Sequence, residues 1–323
     1  MTDRRHFLKT LSSLTAALMV APSVNSAPKR DRLGEWMPAR KLGKTGEEVT
    51  SIGIGGYHFG HVSEKEAQAL LETALENGLR FIDCAVQYQN GGSEKRMGKL
   101  ISPKYRDVVF LMTKTKAYTA DEARNQLDDS LRRLNTDYLD LWQVHSVDTV
   151  EDVDRRIDNG ILEVVQKAKE DGKVRYIGFT GHRTYKAHLR MLEKTQDKDI
   201  LETCQMPINA VDPHYNSFIR NVLPKLVDRN LGVIAMKTLG FGDFLDKKVD
   251  GKTVVPDTIS MRDAIHFVLS LPISVLVTGA ESAAQIKEKI DLAKSFEKLD
   301  SQAREAIVDK VAAFKQQVEY YKA

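Results

Sequence analysis

Eight short apolar runs recur along this chain, with longer segments of helical spacing between them. They occupy 52–56, 80–83, 108–114, 138–145, 176–180, 201–206, 232–237 and 274–279, and are rich in Val, Ile, Leu and Phe. The runs show little alternation of apolar with polar residues. Each therefore reads as a strand buried on both faces, as in a parallel sheet covered by helices. A strand–helix alternation that never breaks fits a closed parallel barrel better than an open sheet. A doubly wound nucleotide-binding sheet would carry Gly-x-Gly-x-x-Gly after its first strand, and Gly53, Gly55 and Gly56 lack that spacing.

The segments between the runs carry helix punctuation. Segment 63–77 opens with Ser63 and Glu66 as a capping box and stops at Gly78. Segment 119–135 puts Ala123, Leu127, Leu131 and Leu134 on one stripe. Segment 159–171 stops at Gly172, and 282–296 keeps Ile286, Ile290 and Ala293 in register. Residues 37–50 read as a hairpin turning at 43–46, and the tail from Ser301 as one more amphipathic helix. The expected fold is α/β: a (β/α)8 TIM barrel over 37–323, with an N-terminal β-hairpin and an extra C-terminal helix.

The first residues read as an address. Arg4 and Arg5 open a basic region ending at Lys9, and residues 10–21 carry no charge. Twelve residues rise only about 18 Å as a helix, too short for a hydrocarbon core of about 30 Å. That is the shape of a secretory signal. The string RRHFLK resembles a twin-arginine leader, with Asp3 where Ser or Thr is usual. Cleavage is expected after Ser26, with 27–36 as a linker. The resemblance implies handling by the twin-arginine translocation machinery, a periplasmic location and no stable membrane span after cleavage.

Composition narrows the function. Hydrophobic residues are 42% and charged residues 29% of 323, which excludes wholesale disorder and an integral membrane protein. A net charge of +3 argues against a nucleic-acid partner. The two cysteines form no metal-binding CxxC pattern, so no metal is expected. If Asp83 and Gln205 face the barrel interior, alternation turns the adjacent Cys84 and Cys204 outward, on opposite sides and beyond bridging distance.

In such a barrel, active sites lie at the C-terminal ends of the strands. There the second run ends in Asp83 with Tyr88 just beyond, the third in Lys114 and the fourth in His145. A phenol with an ordinary pKa near 10 is a poor acid at neutral pH. A neighbouring ammonium stabilises the phenolate and is expected to lower that pKa. A carboxylate holds the ammonium in place, and an imidazole can orient a carbonyl oxygen. This is apparatus for protonating a developing alkoxide, as in carbonyl reduction. The hydride must come from a cofactor.

The strings ARKLGKTGEEVTSIGIGG, RFIDCAVQYQNGGSEKRMGKLI, YLDLWQVH, GKVRYIGFTGH and GVIAMKTLG resemble the aldo-keto reductase superfamily from Met37 to about Phe296. The resemblance implies a reductase using NADP or NAD bound without a Rossmann fold, with Tyr88 as general acid, Lys114 its pKa modifier, Asp83 the partner of Lys114 and His145 the carbonyl orienter. It further implies that Thr180 and Gly181 stand in place of the family's Ser-Asn pair, and that Gln205 reaches the nicotinamide carboxamide. Met236 replaces a stacking aromatic. Lys237, Thr238, Leu239 and Gly240 form the pyrophosphate loop, and Gly279, Ser282, Gln285 and Glu288 the adenosine segment. Glu281 stands where a basic residue often holds the 2′-phosphate, with Lys287 or Lys289 able to offset it, so the choice between NADPH and NADH stays open. Tyr57, His58, Phe59 and Phe241, on loops at the same rim, are candidate pocket residues for a small aldehyde, ketone or sugar. The alternative is a non-catalytic cofactor-binding barrel acting as redox sensor or partner subunit.

Overall fold

The computed structural model describes residues 28–242, 248–249, 252–253 and 258–322. The leader expected over 1–26 lies outside these residues. Eight parallel strands form a closed barrel: β1 (Ile52–Gly55), β2 (Phe81–Asp83), β3 (Phe110–Thr115), β4 (Leu139–Val144), β5 (Val174–Thr180), β6 (Thr203–Pro207), β7 (Gly232–Met236) and β8 (Val275–Thr278). Each pairs in parallel with the next, and β8 closes on β1 through Leu276 opposite Ile52. All eight apolar runs are strands. The expected capping box is also made: Ser63 with Glu66 starts the helix Glu64–Glu76, and a second box, Thr119 with Glu122, starts Ala120–Leu134.

One strongly amphipathic helix precedes the segment expected over 159–171 and is not among the helical segments read from the sequence. After β4 the chain forms Val150–Asp158, then passes through Gly160 at φ +79° into Ile161–Glu170. Most of the first of these helices is charged, and of its apolar side chains only Val153 is fully buried.

The barrel interior is layered. Its lower part packs Phe81, Phe110, Met112, Leu141, Ile234, Val275 and Val277. Phe81 stacks on Phe110 at 5.1 Å between ring centroids, and Phe110 on Tyr176 at 6.4 Å. The expected hairpin, Ala39–Lys41 paired with Glu48–Thr50, caps this end and adds Leu42 and Val49 to the cluster. Its turn fits because of Gly43 (φ +53°), where a Cβ would come within 2.2 Å of the Gly232 amide nitrogen. Cys84 and Cys204 are free and buried, and belong to the other core cluster, with helix residues such as Leu70, Leu127 and Val165.

The segment read as a linker is folded over the barrel instead. Arg30–Asp31 pairs with Gly34–Glu35 in a small hairpin. Asp31 accepts hydrogen bonds from Arg80 Nε at 2.6 Å, Arg80 Nη2 at 3.0 Å and Trp36 Nε1 at 2.7 Å. Arg80 is 1% exposed and also donates to the carbonyls of Leu75 and Leu79. A polar segment is thus held by a buried charge pair rather than by apolar area, which is why its composition reads as linker.

Burial pushes the Asp31 carboxyl up, but its hydrogen bonds and the Arg80 charge outweigh this and hold it below the usual range. Asp31→Ala strands a buried guanidinium and should cost about 3 kcal/mol or more in denaturant unfolding. Because the folded pKa is lowered, that contribution is complete above the unfolded value. The gap between wild type and variant should therefore be full at neutral pH and close as pH falls below about 4.

Candidate active site

The upper layer of the barrel is polar. Strand alternation turns Asp83, Lys114 and Gln205 inward above the aromatic layer. The Lys114 ammonium is the hub: it ion-pairs with Asp83, donates to the Cys84 carbonyl at 2.7 Å and reaches Tyr88 Oη at 3.4 Å. Asp83 accepts a further hydrogen bond from Gln205 Nε2 at 3.0 Å. Tyr88 begins a 3-10 turn after β2, and its ring meets His145 edge-on at 6.1 Å. The four residues expected at one rim are therefore assembled there, with Gln205 tied into the same network.

Backbone strain collects at this rim. Gln89 and Asn90, after Tyr88, have φ of 50° and 52°; Ser146, after His145, has 52°; Lys237, after β7, has 60°. Non-glycine residues rarely adopt such angles, and the cost is sustained where a site demands the geometry.

Electrostatics correct one expectation. The Tyr88 hydroxyl is pushed up to about 12, not lowered: burial dominates, Lys114 pulls down, and the Asp83 charge opposes that pull. Lys114 stays charged: burial disfavours the ammonium, but the charge and hydrogen bond of Asp83, with Tyr88 and Cys84 beside it, outweigh that and raise it above its ordinary value. His145 is held well below its ordinary value by burial and then by Lys114, so it is neutral at physiological pH. Its Nδ1 has no partner among the described residues.

The other expected site residues divide. Thr180 and Gly181 are buried at the end of β5, next to His182, whose imidazole burial lowers to about 4. Gln205 keeps a buried, unpartnered Oε1, an acceptor suited to a carboxamide N–H. Met236 ends β7 and is half-buried. Lys237 lies over the Tyr321 ring. Gly240 (φ +55°) opens the short turn Gly240–Gly242.

Thr238 and Leu239 are not free to meet a ligand through their side chains. Thr238 Oγ1 donates to the Ile208 carbonyl at 3.1 Å, and Leu239 packs in the core. At β8, Ser282 caps the helix Ala283–Lys294, Gln285 Oε1 accepts from the Glu281 amide at 2.8 Å, and Glu288 is exposed. Lys287 is ion-paired with Asp291, and Lys289 donates to the Gly279 carbonyl.

Of the pocket candidates, Tyr57 is exposed and meets Tyr88 at 5.7 Å. The His58 ring packs onto Gly279, so closely that a Cβ there would fall 2.1 Å from its Nδ1. Phe59 is 1% exposed and belongs to the core, a correction that follows from the local helix Gly56–His61. Two residues along a helix is about a 200° rotation, so Tyr57 and Phe59 face opposite ways. The Phe241 side chain lies outside the described residues. Sequence reading missed Lys116 and Arg183 on the β3 and β5 loops, whose charges act on His145 or His182, Asp148 on the β4 loop, which feels both of those cations, and Tyr321 on the C-terminal tail. Nothing in their local pattern separates them from surface charge.

Comparison with known proteins places the chain in a family. The Aldo/keto reductase family model matches residues 51–309, and the chain belongs to that family. It is an NAD(P)-dependent oxidoreductase of carbonyl substrates. It is 28% identical over 294 residues to L-galactose dehydrogenase of Arabidopsis thaliana, covering 80% of this chain and 89% of the relative. It is 27% identical over 244 residues to L-glyceraldehyde 3-phosphate reductase of Escherichia coli, covering 68% and 66% respectively. The holo form of an aldo-keto reductase from Bacillus halodurans shares the fold at TM-score 0.73 and 21% identity, covering 88% of this chain and 99% of that one.

The site yields a spectroscopic test. Ultraviolet titration of wild type minus Tyr88→Phe, without cofactor, should show no phenol ionising below about pH 11. A difference transition near pH 8 would mean that Lys114 outweighs burial.

Proposed function

We propose that this protein reduces the carbonyl of a small aldehyde, ketone or sugar, with Tyr88 as general acid. The observation that carries the reading is Lys114 Nζ, which reaches the Asp83 carboxylate and the Tyr88 hydroxyl together. A bound nicotinamide supplies the hydride. The Tyr88 hydroxyl and a neutral His145 hold the carbonyl oxygen, and Tyr88 passes its proton to that oxygen as negative charge develops. Lys114 stabilises the phenolate left behind, and Asp83 keeps the ammonium placed. With Tyr88 protonated to about pH 12, the acid is available throughout the physiological range. The reverse oxidation needs the phenolate and therefore speeds up as pH rises. The names of the two relatives make aldoses and trioses the first substrates to try.

For the cofactor itself, Thr180, Gly181 and Gln205 would hold the carboxamide. Met236 would pack on the ring, the backbone of 237–240 would follow the pyrophosphate, and the segment from Gly279 to Glu288 would receive the adenosine. We assign NADH rather than NADPH. Glu281 carries a negative charge at this segment, Lys287 is engaged by Asp291, and burial lowers Lys289 to about 8 while it serves the Gly279 carbonyl. Lys289 lies within the field of Glu281, but its ammonium is given to the Gly279 carbonyl and that of Lys287 to Asp291, so neither is presented to a 2′-phosphate. The RRHFLK leader supports export by the twin-arginine route to the periplasm, with cofactor bound before translocation.

Purified protein is expected to oxidise NADH with a carbonyl panel that includes aldoses. Tyr88→Phe should lower kcat by roughly 10²–10⁴-fold with cofactor affinity within about twofold. Glu281→Lys should raise the NADPH-to-NADH preference at least about tenfold. Absence of turnover across the panel, with cofactor bound tightly, would turn the protein into a binding barrel. Arg4→Lys with Arg5→Lys should leave the protein in the cytoplasmic fraction.

A further inference from the structure

Chain termini usually fray unless something ties them down. This one ends in a buried charge cluster. After the turn Lys315–Val318, the chain reaches the barrel mouth and inserts Glu319 and Lys322, whose side chains are 0% exposed. Lys322 Nζ donates to Asp212 Oδ1 at 2.6 Å and to the Tyr215 carbonyl at 2.9 Å, and ion-pairs with Glu319. Asp212 also accepts from Ser217 Oγ and the Phe218 and Ile219 amides. Asn209, two residues past β6, donates to Glu319 Oε1 at 2.9 Å and turns its own oxygen to the amides of Val211 and Asp212. Burying two carboxylates and an ammonium brings a desolvation penalty that such pairing offsets.

The cluster aims one side chain. Tyr321 donates through its hydroxyl to Glu319 Oε1 at 2.9 Å, and its ring lies 4.6 Å from Lys237 Nζ and 5.8 Å, edge-on, from the His182 ring. The tail therefore spans the rim from β5 to β7, across the ends of the strands that carry Thr180, Gly181, Gln205 and Met236.

We propose that the C-terminal tail is part of the cofactor site: Tyr321 walls the nicotinamide end, and Lys322, seated between Asp212 and Glu319, latches the tail so that cofactor exchange requires it to open. The inference rests on the nicotinamide reading given above. Its consequence is slow exchange in both directions, the property an exported enzyme needs when no cofactor pool surrounds it.

Stopped-flow fluorescence of NADH on the purified full chain tests it, with binding followed directly and release followed by chase with excess NAD⁺. Lys322→Met should speed association and release alike, each about tenfold or more, because a latch slows passage both ways. Tyr321→Ala keeps every charge of the latch and should speed release; it carries the test if thermal melting shows Lys322→Met unfolded. Rates within about twofold of wild type in the folded variants would overturn the proposal. So would faster release with unchanged association in Lys322→Met, the mark of a contact rather than a latch. Failure of wild type to bind either NADH or NADPH would instead remove the nicotinamide reading itself, and the latch with it.

Discussion

An ammonium buried at 1% exposure in the mouth of a barrel is the constraint around which this molecule is organised. Lys114 cannot remain charged there without Asp83, and Asp83 in turn is satisfied by Gln205 from the far side of the barrel. The pair thus links β2, β3 and β6, and it is stable because its remaining donor goes to the Cys84 carbonyl. Tyr88 and His145 are neutral groups placed beside this charge, and their chemistry follows from it. The phenol has a base-stabilising cation within reach, and the imidazole is kept from taking a proton.

The aromatic layer beneath gives the pair its low-dielectric floor. Phe81, Phe110 and Tyr176 stack across three strands, and the hairpin residues Leu42 and Val49 seal the opposite end. Water is excluded from below, so the charges at the top interact through protein rather than solvent. Ion pairs also fasten the two segments that flank the barrel. An Asp31–Arg80 pair fixes the N-terminal hairpin over the outside of the barrel, and Lys322 fixes the tail at the mouth.

The barrel is legible in the sequence because its strands are buried on both faces. Runs such as VVFLMTK and YLDLWQVH have no polar side to confuse with a surface strand, and all eight form. Asp83, Lys114 and His145 are legible because they are polar residues closing apolar runs. The signals that fail are those that depend on distance between remote segments. Nothing in PKRDRLGEW announces that Asp31 meets Arg80, and nothing at the C-terminus announces a buried Lys322. The direction of the Tyr88 shift is also not a sequence property, since it depends on how much burial outweighs Lys114. Phe59 is a candidate because of its loop at the rim, and Thr238 and Leu239 because of the family resemblance, whereas local helix phase, core packing and a single hydroxyl–carbonyl bond decide where their side chains go.

Lys114 acts on Tyr88 rather than merely holding the barrel together. The direct test is the pre-steady-state rate of NADH oxidation by an accepted carbonyl substrate in Lys114→Met, alongside its NADH affinity and thermal stability. Hydride transfer should fall by at least about a hundredfold while the folded protein still binds NADH. A folded variant that transfers hydride at the wild-type rate would contradict this role of Lys114.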